Sequence, residues 1–545
     1  MGRRALAGAL ACVALVGMAV VAHAAEAEPT GELLGTIPVA DLDGDGGADV
    51  VTVHAGQNAP AEQNPTSVIV ARRGADGTPL WSSTVPVGGI YAAVAPAGPS
   101  GQPGLYVVVS LFNFFVDAHT TQDSLVVNTP VYMSLQPTGI EALAFSATGQ
   151  QIWRQREQQH AGDEPATTDG IPLAFTLAQS TASPATDVTL LFSDDHDEVR
   201  ASSTQDPSTR RAVVLDGADG AQASVGTLPL TVNSGTSLAV GDLDGDGLAD
   251  TVIGAGTAGV VAGYRGTDGS QLWRASGLDF DTSRLLSDVT GDGIRDVVTQ
   301  HNPNPGSNPT PGEVTLLEGR TGTVRWIYGG DQAFAAGDLV GIATRFLSTT
   351  EAGTTYELVD AAGVGVAARD VSLARPPGAT ATIEVLTAQG DLNGDGVGDL
   401  VHEIVVGSGD TAQTEVAVVS GRTLGTLWTG PPVGTPLRAA VSPGGDDLVR
   451  TAPFGSSAVD VTVQDGATGA DVWTARVRPS SETTQYTTQS AADLDGDGLA
   501  EVIVDVRGAQ PAALGTVPDE VVSRQNFSNQ VFVLDGRDGS LRWQR

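Results

Sequence analysis

The chain has 545 residues and carries 64 acidic side chains against 28 basic ones, a formal net charge of −36 at pH 7. Every basic residue other than histidine is arginine, and no basic stripe exists that could displace the counterions of a nucleic acid, so the composition excludes a nucleic-acid-binding protein. The 69 glycines and the apolar fraction of 41% favour a turn-rich, many-stranded fold over a disordered chain.

Residues 1–24 are predicted to be a secretory signal peptide. Arg3 and Arg4 precede an apolar run, and Ala22-His23-Ala24 matches an A-x-A cleavage site. An uncleaved membrane anchor is the alternative, because about 20 apolar residues can span a bilayer; the small-residue cleavage site favours export. Residues 25–37 are assigned to a linker, and no transmembrane segment is expected after cleavage. The single cysteine, Cys12, lies within the signal peptide, so the exported protein has no disulfide.

Two short motifs alternate along residues 38–545. The first is an acidic loop, D-x-D-G-D-G-x-x-D or a close variant, followed by a β-branched run. The second is a strand, a glycine-containing tight turn and a tryptophan. All seven tryptophans of the chain occupy this second motif: Trp81, Trp153, Trp273, Trp326, Trp428, Trp473 and Trp543. Such regular placement indicates an internal repeat.

Nine repeat units are counted, beginning near residues 38, 91, 171, 238, 285, 333, 387, 438 and 489. The units near 91, 171, 333 and 438 lack the full acidic loop, and Ser224 stands where a tryptophan is due. Each unit contains four short strands and no helical period, which is typical of a β-propeller blade. Propellers usually have about four to eight blades. The sequence therefore predicts an all-β, single-domain propeller of four-stranded blades, with seven to nine blades.

The acidic loops have the chemistry of a calcium site. Alternating carboxylates can converge on a hard cation that accepts six to eight oxygens, and the glycines let the chain wrap tightly. An EF-hand is the close competitor, but it needs a glutamate at position twelve and a following helix. Position twelve here lies in a strand-like run and is occupied by Thr52, Ile253, Thr299, His402 or Val504. A polar hairpin without metal is the remaining alternative, and five loops at equivalent positions disfavour it.

The loops resemble the FG-GAP repeats of integrin alpha-subunit propellers and the VCBS-type repeats of secreted bacterial proteins. The resemblance covers essentially the whole mature chain. It implies calcium ligands from the side chains at loop positions one, three, five and nine and from the backbone carbonyl at position seven. On this chain those positions are Asp41, Asp43, Asp45, Gly47 and Asp49; Asp242, Asp244, Asp246, Leu248 and Asp250; Asp288, Thr290, Asp292, Ile294 and Asp296; Asp391, Asn393, Asp395, Val397 and Asp399; and Asp493, Asp495, Asp497, Leu499 and Glu501.

Up to five structural Ca²⁺ ions are therefore expected. Thr290 and Asn393 each replace a carboxylate with a neutral oxygen, and Arg295 adds an opposing charge near the first of them. Weaker binding is predicted at the Thr290 loop. Without a cation, the crowded carboxylates should repel one another or take up protons.

The tryptophan turns have a resemblance of their own. The run Asp465-x-x-Thr468-Gly469-x-x-x-Trp473 is similar to the tryptophan-docking motif of pyrroloquinoline-quinone dehydrogenase propellers. That resemblance implies that each indole packs between adjacent blades. The quinone pocket and the vicinal disulfide of that family are not carried over, because the mature chain has no cysteine. A ligand-binding aromatic surface is the alternative for these residues.

A partner is expected on the face opposite the acidic loops and tryptophan turns. The long, variable connections between the second and third strands open there, and variable loops on a rigid scaffold commonly carry recognition. Phe112, Phe114 and Phe115 are the candidate contact residues, with packing within a strand as the alternative. The sequence contains no diagnostic catalytic frame, and its histidines share no metal-binding spacing.

The sequence thus predicts a secreted or cell-surface, calcium-binding propeller that acts as an extracellular binding or adhesion module. Its ligand would be an extracellular protein or a polysaccharide. The alternative function is a secreted carbohydrate-active or other hydrolytic enzyme on the same scaffold, since propellers also host enzymes.

Overall fold

The protein is a nine-bladed β-propeller in which every blade is a four-stranded antiparallel sheet. The computed structural model describes residues 33–55, 66–86, 88–95, 98–99, 102–116, 133–157, 171–194, 208–230, 236–301, 312–348, 350–376, 379–386, 390–407, 413–430, 437–441, 445–454, 458–479, 483–509 and 527–545. These residues contain 36 strands. Within the same residues there is no helix long and apolar enough to cross a bilayer.

Each blade is built from four consecutive strands, paired in chain order. Blade 1 has β1 (Leu33–Val39), β2 (Asp49–Ala55), β3 (Thr66–Arg72) and β4 (Pro79–Pro86). Blade 2 has β5 (Gly88–Ala95), β6 (Gly104–Val116), β7 (Met133–Ser146) and β8 (Gln151–Glu157). Blade 3 has β9 (Ile171–Ala178), β10 (Asp187–Asp194), β11 (Ser208–Leu215) and β12 (Gln222–Leu230). Blade 4 has β13 (Thr236–Gly241), β14 (Asp250–Ala255), β15 (Val260–Tyr264) and β16 (Gln271–Ser276).

The second half of the ring repeats this order. Blade 5 has β17 (Thr282–Leu285), β18 (Val297–His301), β19 (Glu313–Leu317) and β20 (Val324–Gly329). Blade 6 has β21 (Gln332–Ala336), β22 (Leu339–Leu347), β23 (Glu351–Val359) and β24 (Gly365–Ala374). Blade 7 has β25 (Ala381–Leu386), β26 (Leu400–Val406), β27 (Gln413–Val419) and β28 (Thr426–Gly430). Blade 8 has β29 (Leu437–Ala439), β30 (Asp447–Phe454), β31 (Ala458–Gln464) and β32 (Asp471–Val477), and blade 9 has β33 (Thr483–Ala492), β34 (Glu501–Ala509), β35 (Phe527–Leu534) and β36 (Leu541–Gln544).

The core lies between the faces of neighbouring blades. The middle strands are apolar on both faces, as strands sandwiched between two sheets must be; β14 and β15 are buried along their whole length. One cluster between blades 4 and 5 illustrates the packing, with Leu243, Val252, Val261 and Trp273 on one side and Val297 and Leu317 on the other. Burial of such runs is the main stabilising contribution to a fold of this kind.

The ring closes by contact between complete blades rather than by a shared strand. Trp543 of blade 9 donates its indole Nε1–H to the carbonyl oxygen of Gly74 in blade 1, at 2.8 Å. The amide of Ala48 donates to the carbonyl oxygen of Asp493 at 2.7 Å, and the hydroxyl of Thr36 donates to Asp505 Oδ2 at 2.5 Å. Blades 1 and 9 therefore meet as ordinary neighbours.

The nine repeat units and the all-β propeller are confirmed, and the blade number is nine. The first strand begins at Leu33, ahead of residue 38, where the propeller is predicted to start. The signal peptide at residues 1–24 lies outside the described residues.

Candidate metal sites on the turn-bearing face

The acidic loops and the tryptophan turns lie together on one face, as predicted. Acidic loops join the first and second strands of blades 1, 4, 5, 7 and 9, and the turns join the third and fourth strands of each blade. The two connections touch: in blade 1 the amide of Gly74, in the turn, donates to Asp49 Oδ1, in the loop, at 3.1 Å.

Three of the five loops bring three carboxylates together. In each, one oxygen per side chain lies within 4.8 Å of the other two: Asp41, Asp43 and Asp45; Asp242, Asp244 and Asp246; and Asp493, Asp495 and Asp497. Among the residues that the structure describes, these are the groups of three or more His, Cys, Asp or Glu side chains close enough to hold a metal ion. The oxygen-only donor set suits Ca²⁺ or another hard cation.

The loop backbone holds these carboxylates in place. In blade 1, Asp41 accepts hydrogen bonds from the amides of Gly44 at 2.6 Å and Gly46 at 2.9 Å. Both glycines have positive φ, 82° and 97°, a conformation that a side chain would strain. The first Asp accepts the amide of the second glycine in all five loops, at 2.6 to 3.0 Å. The loops therefore share one wrapped conformation.

The amide at position seven also has the same role in every loop. Gly47, Leu248, Ile294, Val397 and Leu499 each donate to Oδ1 of the position-five Asp, at 2.8 to 3.0 Å. Carbonyl coordination by these five residues stays a prediction.

The two loops with a neutral residue at position three differ from the other three. Thr290 donates its hydroxyl to Asp296 Oδ1 at 3.1 Å, so this oxygen is drawn toward position nine. In blade 7, Asn393 Nδ2 donates to Asp399 Oδ1 at 3.5 Å, although its Oδ1 still accepts the amide of Asp395 at 3.0 Å. The weaker calcium binding predicted for the Thr290 loop, beside Asp288 and Asp292, remains a prediction.

The carboxylate at position nine is a buried clamp. Asp49 is fully buried and accepts the amides of Leu42 at 2.8 Å and Asp43 at 3.3 Å through Oδ2, while Oδ1 takes the turn amide of Gly74. Asp250, Asp296 and Asp399 accept the corresponding loop and turn amides, and Glu501 accepts Leu494 N at 2.7 Å. This clamp joins the acidic loop to the tryptophan turn of the same blade. Its additional role as a calcium ligand stays a prediction.

Two further clamps escape sequence analysis because their blades have no acidic loop. Asp187 in blade 3 accepts the amide of Gly217 at 3.0 Å, and Asp447 in blade 8 accepts that of Gly466 at 3.2 Å. Each immediately precedes or begins the second strand, which is the signal that could have found them. The clamp therefore also forms in blades that lack an acidic loop.

Burial makes the charged form of these clamps costly. Desolvation raises the pKa of Asp49 and of Asp399 to about 6 and that of Glu501 to about 7, against the lowering effect of the amides that they accept. The pKa values of Asp250 and Asp296 are raised for the same reason. A cation in the loop would favour the charged form.

The tryptophans form latches between blades, and the predicted packing role is confirmed. Each indole Nε1–H donates to a backbone carbonyl in the turn of the next blade, at 2.7 to 3.1 Å. The pairs are Trp81 with Ala147, Trp153 with Gly217, Trp273 with Gly319, Trp326 with Asp360, Trp428 with Gly466, Trp473 with Gly536, and Trp543 with Gly74. Each ring also lies against a glycine of that turn: Gly149, Gly220, Gly322, Gly363, Gly469, Gly539 and Gly77, respectively.

The interface between two neighbouring blades is called a seam here, and two of the nine seams lack the indole. Between blades 3 and 4, Ser224 occupies the tryptophan position and donates its hydroxyl to the Gly266 carbonyl at 2.6 Å. Between blades 6 and 7, Leu424 replaces the turn glycine, with φ of 58° and 2% exposure. It packs with Phe334, Tyr356 and Leu400.

The candidate partner residues lie on a strand. Phe112, Phe114 and Phe115 belong to β6 and pair with Pro137, Leu135 and Ser134 of β7. Their side chains lie outside the described part of the chain, as do residues 117–132 that connect the two strands. Their role in partner binding stays a prediction.

No protein-family model matches the chain, and no curated protein matches it. Similar solved structures include the exotype rhamnogalacturonan lyase YesX, with 14% identity and a TM-score of 0.41 over 77% of this chain and 70% of that one. The Bacillus licheniformis rhamnogalacturonan lyase PL11 has 12% identity and a TM-score of 0.41, over 87% and 69% of the two chains. The V. cholerae biofilm matrix protein Bap1 has 13% identity and a TM-score of 0.35, over 94% and 89%. Similarity this low carries no information on activity or ligand.

Proposed function

We propose that this protein is a secreted, calcium-stabilised propeller that acts as an extracellular or cell-surface binding module, related to the FG-GAP and VCBS repeat proteins. The observation that carries the calcium role is the convergence of three carboxylates in each of three loops at equivalent places on the ring. Oxygen-only donors on a tightly wrapped loop fit calcium, and extracellular calcium sites typically have dissociation constants of about 10⁻⁴ to 10⁻³ M.

The cation would be structural. Each loop joins the first strand of a blade to the second, and its clamp reaches the turn of the same blade. In blades 1, 5 and 9 that turn also accepts the tryptophan of the preceding blade; Gly74, for example, donates its amide to Asp49 and accepts Trp543 at its carbonyl. Calcium that holds the loop thus supports a seam as well as a hairpin. Export, supported by the signal-peptide pattern at residues 1–24, would bring the sites to millimolar calcium.

Thermal unfolding with and without calcium tests this role. Excess chelator should lower the melting temperature by several degrees, because binding to the folded state alone stabilises it. The double substitution Asp244→Asn and Asp246→Asn should remove part of that calcium response. Asp370→Asn, which changes an exposed carboxylate on β24 of blade 6, a blade without an acidic loop, is the control and should leave the response intact. An identical melt with calcium and with chelator would refute the calcium role.

The binding role is assigned to the face opposite the loops, where an extracellular protein or polysaccharide would dock. The long β6–β7 hairpin that carries Phe112, Phe114 and Phe115 leads to that face. Replacing residues 117–132 with a short turn should abolish pull-down of the partner from the producing cell's surface or matrix while the melting temperature stays unchanged. The same truncation of residues 510–526, which connect β34 to β35 in blade 9, is the control and should leave capture of the partner intact. Undiminished capture by the β6–β7 variant would count against this face.

A further inference from the structure

Arginine occurs in the turn between the third and fourth strands of five blades only. It stands four residues before the left-handed turn residue in Arg73 and Arg265, and two residues before it in Arg320, Arg422 and Arg537. These are the turns of blades 1, 4, 5, 7 and 9, the same five blades that carry acidic loops. The other four turns have alanine at the later position: Ala147, Ala218, Ala361 and Ala467. Loop and arginine are therefore present or absent together.

Each of these arginines reaches the acidic loop of its own blade. Arg73 Nη2 lies 2.8 Å from Asp43 Oδ2, and its Nε lies 3.2 Å from Asp45 Oδ2. Arg265 Nε lies 2.9 Å from Asp244 Oδ2. In blade 9 Arg537 Nη2 lies 2.5 Å from Asp497 Oδ2, and a second arginine, Arg542, contacts Asp495 Oδ2 at 2.5 Å.

The contact is closer where the loop is more acidic. In the two loops with a neutral residue at position three, the nearest guanidinium contact to the position-five carboxylate is 3.5 Å, from Arg320 to Asp292 and from Arg422 to Asp395. In these two blades the guanidinium also donates to a backbone carbonyl, Arg422 Nη2 to Asp395 O at 2.9 Å and Arg320 Nη1 to Asp244 O of the neighbouring blade 4 loop at 3.1 Å.

The arginine binds one oxygen of a loop carboxylate and leaves the other oxygen to the loop backbone, so its guanidinium does not occupy the interior of the loop. In blade 4, Asp244 Oδ2 accepts a hydrogen bond from Arg265 Nε, while Asp244 Oδ1 accepts one from the amide of Asp246 at 3.1 Å. Arg265 is itself partly exposed, with 37% of its side chain accessible, so it sits at the rim of the loop. A positive charge there relieves repulsion among the carboxylates when no cation is bound, and repels a cation when one enters.

We infer that the five turn arginines set the calcium affinity of their loops, each stabilising the calcium-free loop and weakening calcium binding to it. This inference rests on the proposed calcium role. It predicts opposite signs for two measurable quantities: removing the charge should loosen the empty loop and tighten the loaded one. A merely structural arginine would change both in the same direction.

The test uses Arg265→Gln in the full chain and an NMR calcium titration followed at the Gly247 amide. This amide donates to Asp242 Oδ2 at 3.0 Å, so it reports on the blade 4 loop alone. The calcium dissociation constant at Gly247 should fall roughly three- to tenfold, the effect of removing one positive charge near a divalent ion in screened water. Hydrogen exchange at Gly247 in chelator should become faster.

Two controls separate charge from structure. Arg265→Lys keeps the charge and should keep an affinity close to that of the parent protein. Arg476→Gln removes a paired arginine, with contacts of 2.6 and 2.8 Å to Asp460, from a blade without an acidic loop, and should leave Gly247 unaffected. Arg73→Gln, read at Gly46, repeats the test in blade 1.

The outcomes are distinct. Tighter calcium binding together with faster exchange supports the inference. Unchanged or weaker binding in both glutamine variants, with a parent protein that binds calcium, overturns it. A parent protein whose Gly247 amide does not respond to calcium overturns the calcium role itself and this inference with it.

Discussion

The seam between blades 4 and 5 and the seam between blades 6 and 7 join the same kind of sheet in different ways. At the first, Trp273 extends from β16, lies on Gly322 and donates to the Gly319 carbonyl at 2.7 Å. At the second, Ala367 pairs with Leu358 where the tryptophan would stand, and the turn of blade 7 supplies Leu424. The large side chain comes from one blade in the first seam and from its neighbour in the second.

At these two seams, the residue at the tryptophan position of one blade and the left-handed turn residue of the next blade differ together. A left-handed turn residue with a side chain would collide with an indole, so Leu424 is compatible only with the small Ala367. The Ser224 seam is intermediate, because it keeps the hydrogen bond to the Gly266 carbonyl but not the ring. The stability of a seam therefore has two separable parts, the apolar packing of a large side chain between the blades and one hydrogen bond to the turn carbonyl. Substitutions at the seams should separate these two contributions.

Trp273→Ala should have the largest effect. It removes a side chain that is 6% exposed and leaves a cavity between two blades, which costs about 3–5 kcal/mol for a buried aromatic residue. Chemical denaturation measures the change. Ile327→Ala, at an exposed site on the outer strand of blade 5, is the control and should change stability by less than about 0.5 kcal/mol. A Trp273→Ala loss as small as that of the control would contradict the latch.

Gly322→Ala should be nearly as damaging. The new Cβ would collide with the Trp273 ring, and the alanine would have to adopt the φ of 66° that Gly322 has. Overpacking together with a left-handed alanine costs about 2–4 kcal/mol. Gly291→Ala is a matched control, since it has φ of 78° with open space around the Cβ. Only the difference between the two variants measures the indole contact, and equal losses would remove the indole contact as the cause.

Acid should weaken the seam between blades 6 and 7. His402 of β26 faces Thr354 at 3.3 Å and the Tyr356 ring of blade 6, and burial lowers its pKa to about 4. A lowered histidine pKa means that stability is complete above pH 6.5 and is lost as the pH falls toward about 4. Between pH 7.5 and 5 the loss should be about 2 kcal/mol. His402→Gln should lack this component; an unchanged acid dependence would exclude the histidine as its source.

Ser224→Ala should have the smallest effect. It removes one hydrogen bond and leaves the Gly266 carbonyl without this donor, a loss of about 1 kcal/mol. The melting temperature should fall by roughly one to two degrees. Ser372→Ala, at an exposed position of β24, should leave the melting temperature unchanged. A neutral Ser224→Ala would assign the whole seam to apolar packing.

The ring could be predicted from sequence because the motifs that connect its strands are local. The Asp-Gly loops and the Gly-to-Trp turns each occupy about ten residues, and they mark two of the three connections in every intact blade. The predicted indole packing also follows from a local motif. The blade number is settled by structure, since the units near residues 91, 171, 333 and 438 are decayed but still fold as four-stranded sheets.

The candidate sites were predicted only in part. The triads at Asp41, Asp242 and Asp493 follow from spacing, but the double engagement of Asp49 by loop and turn amides depends on contacts between connections about 25 residues apart in sequence. The partnership of Arg73 with Asp43 has the same origin. The left-handed conformation of Leu424 could not be predicted, because no local sequence pattern indicates that a leucine will adopt it.

Closure without a shared strand has a consequence for how such a ring can change in number. Since each blade is one uninterrupted stretch of chain, a whole blade can be duplicated or deleted without leaving any strand unpaired. The new neighbour needs only an indole or its substitute on one side and a fitting turn on the other. Moving the chain ends to another seam by circular permutation should preserve the ring for the same reason.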